Sequence, residues 1–222
     1  MNHADHADHA EPAKPEDPNQ TRQPNKATPE HRPIFTEVQT AREWLEIIPQ
    51  MRLLTIESEQ DETDLHRRSA EVTMFGKELA QFCLILLEHM REEQGIGLAA
   101  PQMGVFQRIF VSQVNEGQEP LIVINPLIQP AEESKETGEE GCLSVPGILA
   151  DVERWPAIDI TAQNPYGKTF KLHLEGMDSI CFQHENDHLE GTLFIDYLTR
   201  SQVKKVRKHF AEQRATKTEL ET

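Results

Sequence analysis

Basic residues are scarce in this chain: 22 Lys and Arg stand against 38 Asp and Glu, for a formal charge of -16. That balance excludes a general nucleic-acid binder, DNA-binding proteins included, because phosphates require a basic footprint. Long apolar runs are also missing. No stretch approaches the roughly 20 residues of a membrane-spanning helix, so no membrane partner is expected. Only three cysteines occur, Cys83, Cys142 and Cys181. Their odd number and apolar surroundings argue against a disulfide framework, and a reducing cytoplasm is the expected compartment. No secretory core follows Met1, and the acidic start does not suit a mitochondrial transit peptide.

Residues 1–33 lack Val, Ile, Leu and every aromatic, yet hold six of the 14 prolines and four of the ten histidines. Such a segment cannot bury enough apolar surface to offset the entropy of ordering it, and the reading is a disordered polar tail. Its "HADHADHA" repeat has metal-binding side chains but no frame to hold them, which favours plain solvation. The rest is ample for one core. We expect a single catalytic domain over 34–210 and a frayed C-terminal tail over 211–222.

Within that domain, "EWLEIIPQMRLLTI" predicts a short helix and then a strand, and the polar "ESEQDETD" predicts a loop. Phe75, Leu79, Phe82, Leu86 and Met90 step by three and four, the period of a buried amphipathic helix, with Leu84, Ile85 and Leu87 widening its apolar face. "RIFVSQV" and "PLIVINP" read as strands. "AIDITAQNPYGKTFKLHLEG" reads as a hairpin turning at "NPYG". A second long helix is predicted from Asp178 or Ser179, and a short basic one over "SQVKKVRKHFAEQRA". Strands followed by a helix carrying polar residues indicate an α+β domain.

That second helix contains "QHENDHLEG". His184 and His188, four apart, share a helix face and can reach one ion. Glu185 is rotated off that line, placed to take a proton from water that a metal has acidified. The same three residues would also suit a wet helix face, so a third ligand decides the matter. A metzincin would supply a histidine at position 194, which is Phe194. A thermolysin-like site would need a later helical glutamate, and only Asp196 follows. Upstream, Cys142 in "EEGCLSVPG" would complete a Cys/His/His set with one open position. A third stretch, "GIGLAAPQ", imitates a dinucleotide-binding turn but follows a helix where a strand is required. Its small residues permit close backbone approach instead. Gln102 at its end either donates to a developing oxyanion or is satisfied by backbone.

"GIGLAAPQ", "EGCLS" and "QHENDH" together, complete and in order, resemble the peptide deformylase family from about Asp64 to about Lys208. The resemblance implies an α+β deformylase-like fold, with antiparallel strands packed around a central metal-binding helix. It implies hydrolysis of the formyl group from N-terminal formyl-methionine of nascent polypeptides, a step of protein biosynthesis. It assigns one divalent metal ion, Fe²⁺ expected, to Cys142, His184 and His188; the donor types leave Zn²⁺ or another ion open. Glu185 becomes the general base, and Gln102 with the backbone N–H of Leu143 the oxyanion hole. Gly97 would lie along the substrate backbone, Ile96, Ile180 and Cys181 would line the methionine pocket, and Arg154 would stand near the outer substrate. Glu140 would support its loop.

Two alternatives stay open on the residues alone: another metallo-amidohydrolase or peptidase on the same ligands, and a non-enzymatic protein stabilised by a closed metal site. Glu185 and Gln102 weigh against the latter, since a structural site needs neither. The basic "KKVRK" near the C-terminus could contact ribosomal RNA, against the simpler reading of a solvated helix face.

Overall fold

The computed structural model describes Phe35 and residues 38–220, with side chains as far as residue 216. The predicted tail over 1–33 lies outside the described residues. Seven strands and five helices are placed among them: α1 (Glu43–Ile47), α2 (Glu59–Leu65), α3 (Lys77–Glu92), β1 (Gly97–Ala99), β2 (Ile109–Ser112), β3 (Leu121–Pro130), β4 (Glu136–Cys142), β5 (Val145–Arg154), β6 (Ala157–Gln163), β7 (Thr169–Glu175), α4 (Gly176–Glu190) and α5 (Arg200–Leu220). All strand pairs are antiparallel, in a five-stranded sheet of order β1-β2-β3-β6-β7 and a separate β4–β5 hairpin. No helix among the described residues is long and apolar enough to cross a membrane.

Strand alternation builds two apolar layers on the large sheet. In β2, Ile109 and Val111 face the cluster that contains Leu79, Phe82 and Leu86 of α3. Phe110, between them, faces the other way and joins Phe182 and Leu189 of α4. The Phe110 and Phe182 rings meet edge-on with centroids 5.0 Å apart. The sheet is thus covered by α3 on one side and α4 on the other. A third cluster packs the β4–β5 hairpin against Leu193–Ile195 and against Val206 and Phe210 of α5.

Several local outcomes differ from the sequence reading. The polar run after Glu57 forms α2, because Ser58 caps it by accepting from the Asp61 N–H at 3.3 Å. Residues 51–55 carry no regular secondary structure and join neither sheet. The chain here instead laces two of the motif segments together, Leu54 N–H donating to Gln102 C=O (2.7 Å) and Ile56 N–H to Ser144 C=O (2.9 Å). Leu84 is exposed rather than part of the core face of α3. Helix α4 starts at Gly176, earlier than either expected cap, and the Ser179 hydroxyl donates to Trp155 C=O at 2.8 Å. Helix α5 runs on through 211–220, which the sequence suggests as a frayed end. The hairpin over 157–175 forms as predicted, with Ile158 opposite Leu174 and Ile160 opposite Leu172.

Gly191 closes α4 at φ 72°, a left-handed cap whose N–H returns to the last turn. A Cβ there would stand 2.6 Å from the His66 carbonyl oxygen, so only glycine fits.

Candidate active site

The three motif segments arrive at one place from three elements. "GIGLAAPQ" forms edge strand β1 and most of the tight turn Ala100–Met103, "EGCLS" ends β4 and turns toward β5, and "QHENDH" lies in the second half of α4. Ligand atoms of Cys142, His184 and His188 all lie within 4.8 Å of one another. The Cys142 thiol approaches His188 Nε2 at 3.2 Å. His184 Nδ1 is bonded to Glu140 Oε2 at 2.8 Å, which leaves its Nε2 for the shared centre.

Electrostatics agree with this use of the two rings. His188 is 1% exposed, and burial, His184 and Arg154 together push its pKa well below the ordinary value, so it is a neutral imidazole. Burial also works against a charge on His184, but Cys142, Glu140 and Glu185 outweigh it and raise its pKa well above 6.5. A site that stabilises a proton so strongly stabilises positive charge in general. His188 Nδ1 and Glu185 Oε2 are buried with no protein hydrogen-bond partner among the described residues. One thiol, two imidazoles and an unpartnered carboxylate thus fit a divalent metal ion with room for water beside it.

Glu185 is 4% exposed. Burial pushes its carboxyl up, with Glu140 adding and His184 and the Ala99 N–H opposing, to about 7. Its nearest wall is Gly97. A Cβ on Gly97 would meet Cys181 Sγ and the Glu185 carboxyl carbon at 2.8 Å and touch Glu185 Oε1 closer still, which explains a glycine at that position. Gln102 is buried between the other two motifs. Its Oε1 accepts from Ala99 N–H (2.8 Å), while its Nε2 points to Ser144 Oγ (3.2 Å) and Cys142 Sγ (3.5 Å). Backbone thus holds one end of Gln102, and its amide nitrogen is turned toward Ser144 and Cys142.

A cavity of about 900 Å³ opens over this centre. Ile96, Gly97, Gln102, Cys142, Leu143, Ile180, Cys181, His184 and Glu185 all line it, with His188 directly behind Cys142. Arg154 is not brought to the cavity. It is buried behind the centre, its Nε and Nη2 donating to Glu140 (2.7 and 3.1 Å) and its Nη1 to Asp187 (2.6 Å), so an outer-substrate role is corrected to an internal one. The complementary miss is Glu140. Burial would raise its carboxyl, but His184 and Arg154 hold it down at about 2, an ionised anchor for the His184 ring. A signal for it existed: Glu140 and Cys142 are two apart on a strand and so share a face.

Comparison with known proteins closes the alternatives. Residues 53–204 match the polypeptide deformylase family. A peptide deformylase from Alkalilimnicola ehrlichii is 41% identical over 146 residues, spanning 65% of this chain and 82% of that protein. The crystal structure of a peptide deformylase from Legionella pneumophila matches at TM-score 0.67 and 31% identity, covering 75% of this chain and 96% of that one. That of the Thermotoga maritima enzyme matches at TM-score 0.62 and 39% identity, over 67% and 97%. With its three motifs folded onto one cavity and its sequence and fold shared with these enzymes, the chain belongs to the peptide deformylase family.

Proposed function

We propose that this peptide deformylase works through Cys142, His184 and His188 as metal ligands, Glu185 as general base, and Gln102 with the Leu143 N–H as the oxyanion hole. The reaction is the family's own: hydrolytic removal of the formyl group from N-terminal formyl-methionine of nascent polypeptides. Residues 34–210 would act as one catalytic domain. Iron(II) is our assignment for the native ion. Thiolate and imidazole donors suit Fe²⁺ and Zn²⁺ alike, and the family resemblance favours Fe²⁺. When bound, the ion supplies Lewis acidity and makes water a competent nucleophile near neutral pH.

The protein's share of the chemistry follows from its own groups. Glu185, with a carboxyl near pH 7 and one oxygen free of protein partners, can accept a proton from water and return it to the leaving amine. Gln102 Nε2, 3.5 Å from Cys142 Sγ, and the N–H of Leu143, next in sequence to that cysteine, are the donors suited to the formyl oxygen as it gains charge. Strand β1 is an edge of the sheet, and Gly97 on it leaves room for an extended substrate backbone. Ile96, Ile180 and Cys181 offer an apolar wall to the methionine side chain. A formyl carbon bears only hydrogen, so a narrow centre admits it and rejects bulkier acyl groups.

The observation that carries this reading is the convergence of three ligand atoms beside the unpartnered Glu185 carboxylate in one cavity. Turnover of formyl-Met-peptide but not acetyl-Met-peptide, with anaerobic metal analysis of the same sample, tests it. Glu185→Ala should retain metal and lose about 10²–10⁴-fold in turnover. Loss of the metal together with activity would make Glu185 structural.

The cytoplasm, where nascent chains arise, is the compartment of this reading, and all three cysteines are free thiols. Lys204, Lys205, Arg207 and Lys208 are exposed on α5 and form the face suited to ribosomal RNA. Ribosome co-sedimentation unchanged by reversing those charges would end that part.

A further inference from the structure

We propose that Asp61, outside the cavity, is a positioning residue for the oxyanion hole: it fixes the short stretch of chain that ties the Gln102 turn to the Leu143 segment. The inference rests on the deformylase reading and deepens it, since it concerns how the two donors keep their spacing.

Gln102 and Leu143 come from different motif segments, and one dipeptide step holds both. Leu54 N–H donates to Gln102 C=O at 2.7 Å. Two residues on, Ile56 N–H donates at 2.9 Å to the C=O of Ser144, the neighbour of Leu143. Two residues of chain span at most about 7 Å, so the segments cannot separate without breaking one of these bonds. Leu54 and Ile56 are buried in one apolar cluster with Val145, while Leu53 and Thr55 line the cavity. Gln102 Nε2, 3.2 Å from Ser144 Oγ, closes the same gap with side chains.

This tie has no sheet ladder to hold it. Asp61, in the first turn of α2, holds it instead. Its Oδ2 accepts from Arg52 Nη1 at 2.6 Å and from Thr55 N–H at 3.4 Å, and its Oδ1 accepts from Arg52 Nη2. The chain on either side of Leu54 is therefore pinned to one carboxylate. Asp61 is 4% exposed and is not among the cavity-lining residues described. The Arg52 side chain is 37% accessible and can turn to water once Asp61 is removed, so the fold should survive the loss. A slackened tie misplaces donors that act on the transition state, which lowers kcat more than it changes KM.

The test measures kcat, KM and metal content of the holoenzyme with a formyl-Met-Ala-Ala amide, well below each variant's thermal midpoint. Asp61→Ala should lose about tenfold or more in kcat, with KM within about twofold and metal content unchanged. Asp61→Asn keeps an oxygen for Thr55 N–H and should fall between Asp61→Ala and the wild type; it carries the test if Asp61→Ala does not fold. Ile160→Ala, in the core under the distant β6–β7 hairpin, should lower the midpoint and keep kcat. In a Gln102→Ala background the same Asp61 substitution should cost less than about threefold further, because the donor it positions is already gone. Wild-type kcat in folded Asp61 variants, a loss that tracks metal content, or an undiminished loss in the Gln102→Ala background overturns this inference alone. A wild-type holoenzyme that does not cleave the formyl peptide overturns the deformylase reading and this inference with it.

Discussion

Two hairpins of this protein carry nearly the same ionic pairing to opposite ends. On β4–β5, Glu140 meets His184 at 2.8 Å and is gripped by Arg154. On β6–β7, His173 meets Asp159 at 2.8 Å and Glu175 at 3.2 Å. The distances do not separate them. Exposure does: the His184 and Glu140 side chains are 11% and 5% accessible, those of His173 and Asp159 52% and 60%. Water screens the second cluster and leaves it little influence on anything. The first is dry, so each of its charges depends on the others, and one of its members holds a metal-binding ring in place.

Removing Arg154 should break the buried cluster most severely. Arg154→Ala leaves the buried Glu140 with His184 alone and the part-buried Asp187 without its cation, and should cost about 3–5 kcal/mol in urea unfolding. Arg154→Met combined with Glu140→Gln and Asp187→Asn should recover part of that loss, because fewer charges are stranded. A cost below about 1 kcal/mol for the single variant would mean that the cluster is as screened as its exposed counterpart. Next in size is Glu140→Gln. The amide keeps a hydrogen bond to His184 but loses the charge, and metal affinity measured by chelator competition should fall about 10–100-fold. Unchanged affinity would reduce Glu140 to the loop support that its sequence position suggests.

The same contrast explains how much of the molecule was legible in its sequence. Helices α3 and α4, the β6–β7 hairpin and the cavity-lining motif residues are visible because period, turn chemistry and contiguous motifs are local properties. The Phe82–Leu86–Met90 stripe and the "NPYG" turn need no knowledge of distant contacts. Arg154 was misplaced for a non-local reason. It stands opposite Glu136 in the β4–β5 register, which puts it on the same strand face as Glu140 and Cys142, and no pattern in the sequence fixes that register. The irregular stretch before α2 is similar. Its apolar residues read as a strand, but its N–H groups go to Gln102 and Ser144 rather than to a sheet. Helix α2 was missed because its polar surface hides the period, although the Ser58–Asp61 cap was there to be read.

A third ionic pair, intermediate in exposure, sharpens the comparison at its weak end. His66 Nε2 lies 3.2 Å from Asp196 Oδ2, with the side chains 33% and 31% accessible. The Asp196 hydrogen bond raises the His66 pKa, against partial burial that would lower it. Burial would raise Asp196, but His66 and the Leu193 N–H prevail and lower it. The raised histidine stabilises the fold fully below its unfolded pKa of about 6.5, and that contribution is lost as pH climbs through the higher folded value. The lowered aspartate stabilises above its unfolded pKa of about 3.9, and its contribution is lost as pH falls through the lower folded value. The pair therefore contributes most between about pH 4 and 6.5. His66→Gln should lower the thermal midpoint more in that window than at pH 9. His173 also has a raised pKa, from Asp159 and Glu175, so any contribution from it would fade over the same alkaline range. Because that cluster lies open to solvent, His173→Gln should leave the midpoint unchanged at both pH values. A His173 variant as pH-sensitive as the His66 one would show that distance, rather than exclusion of water, governs these pairs.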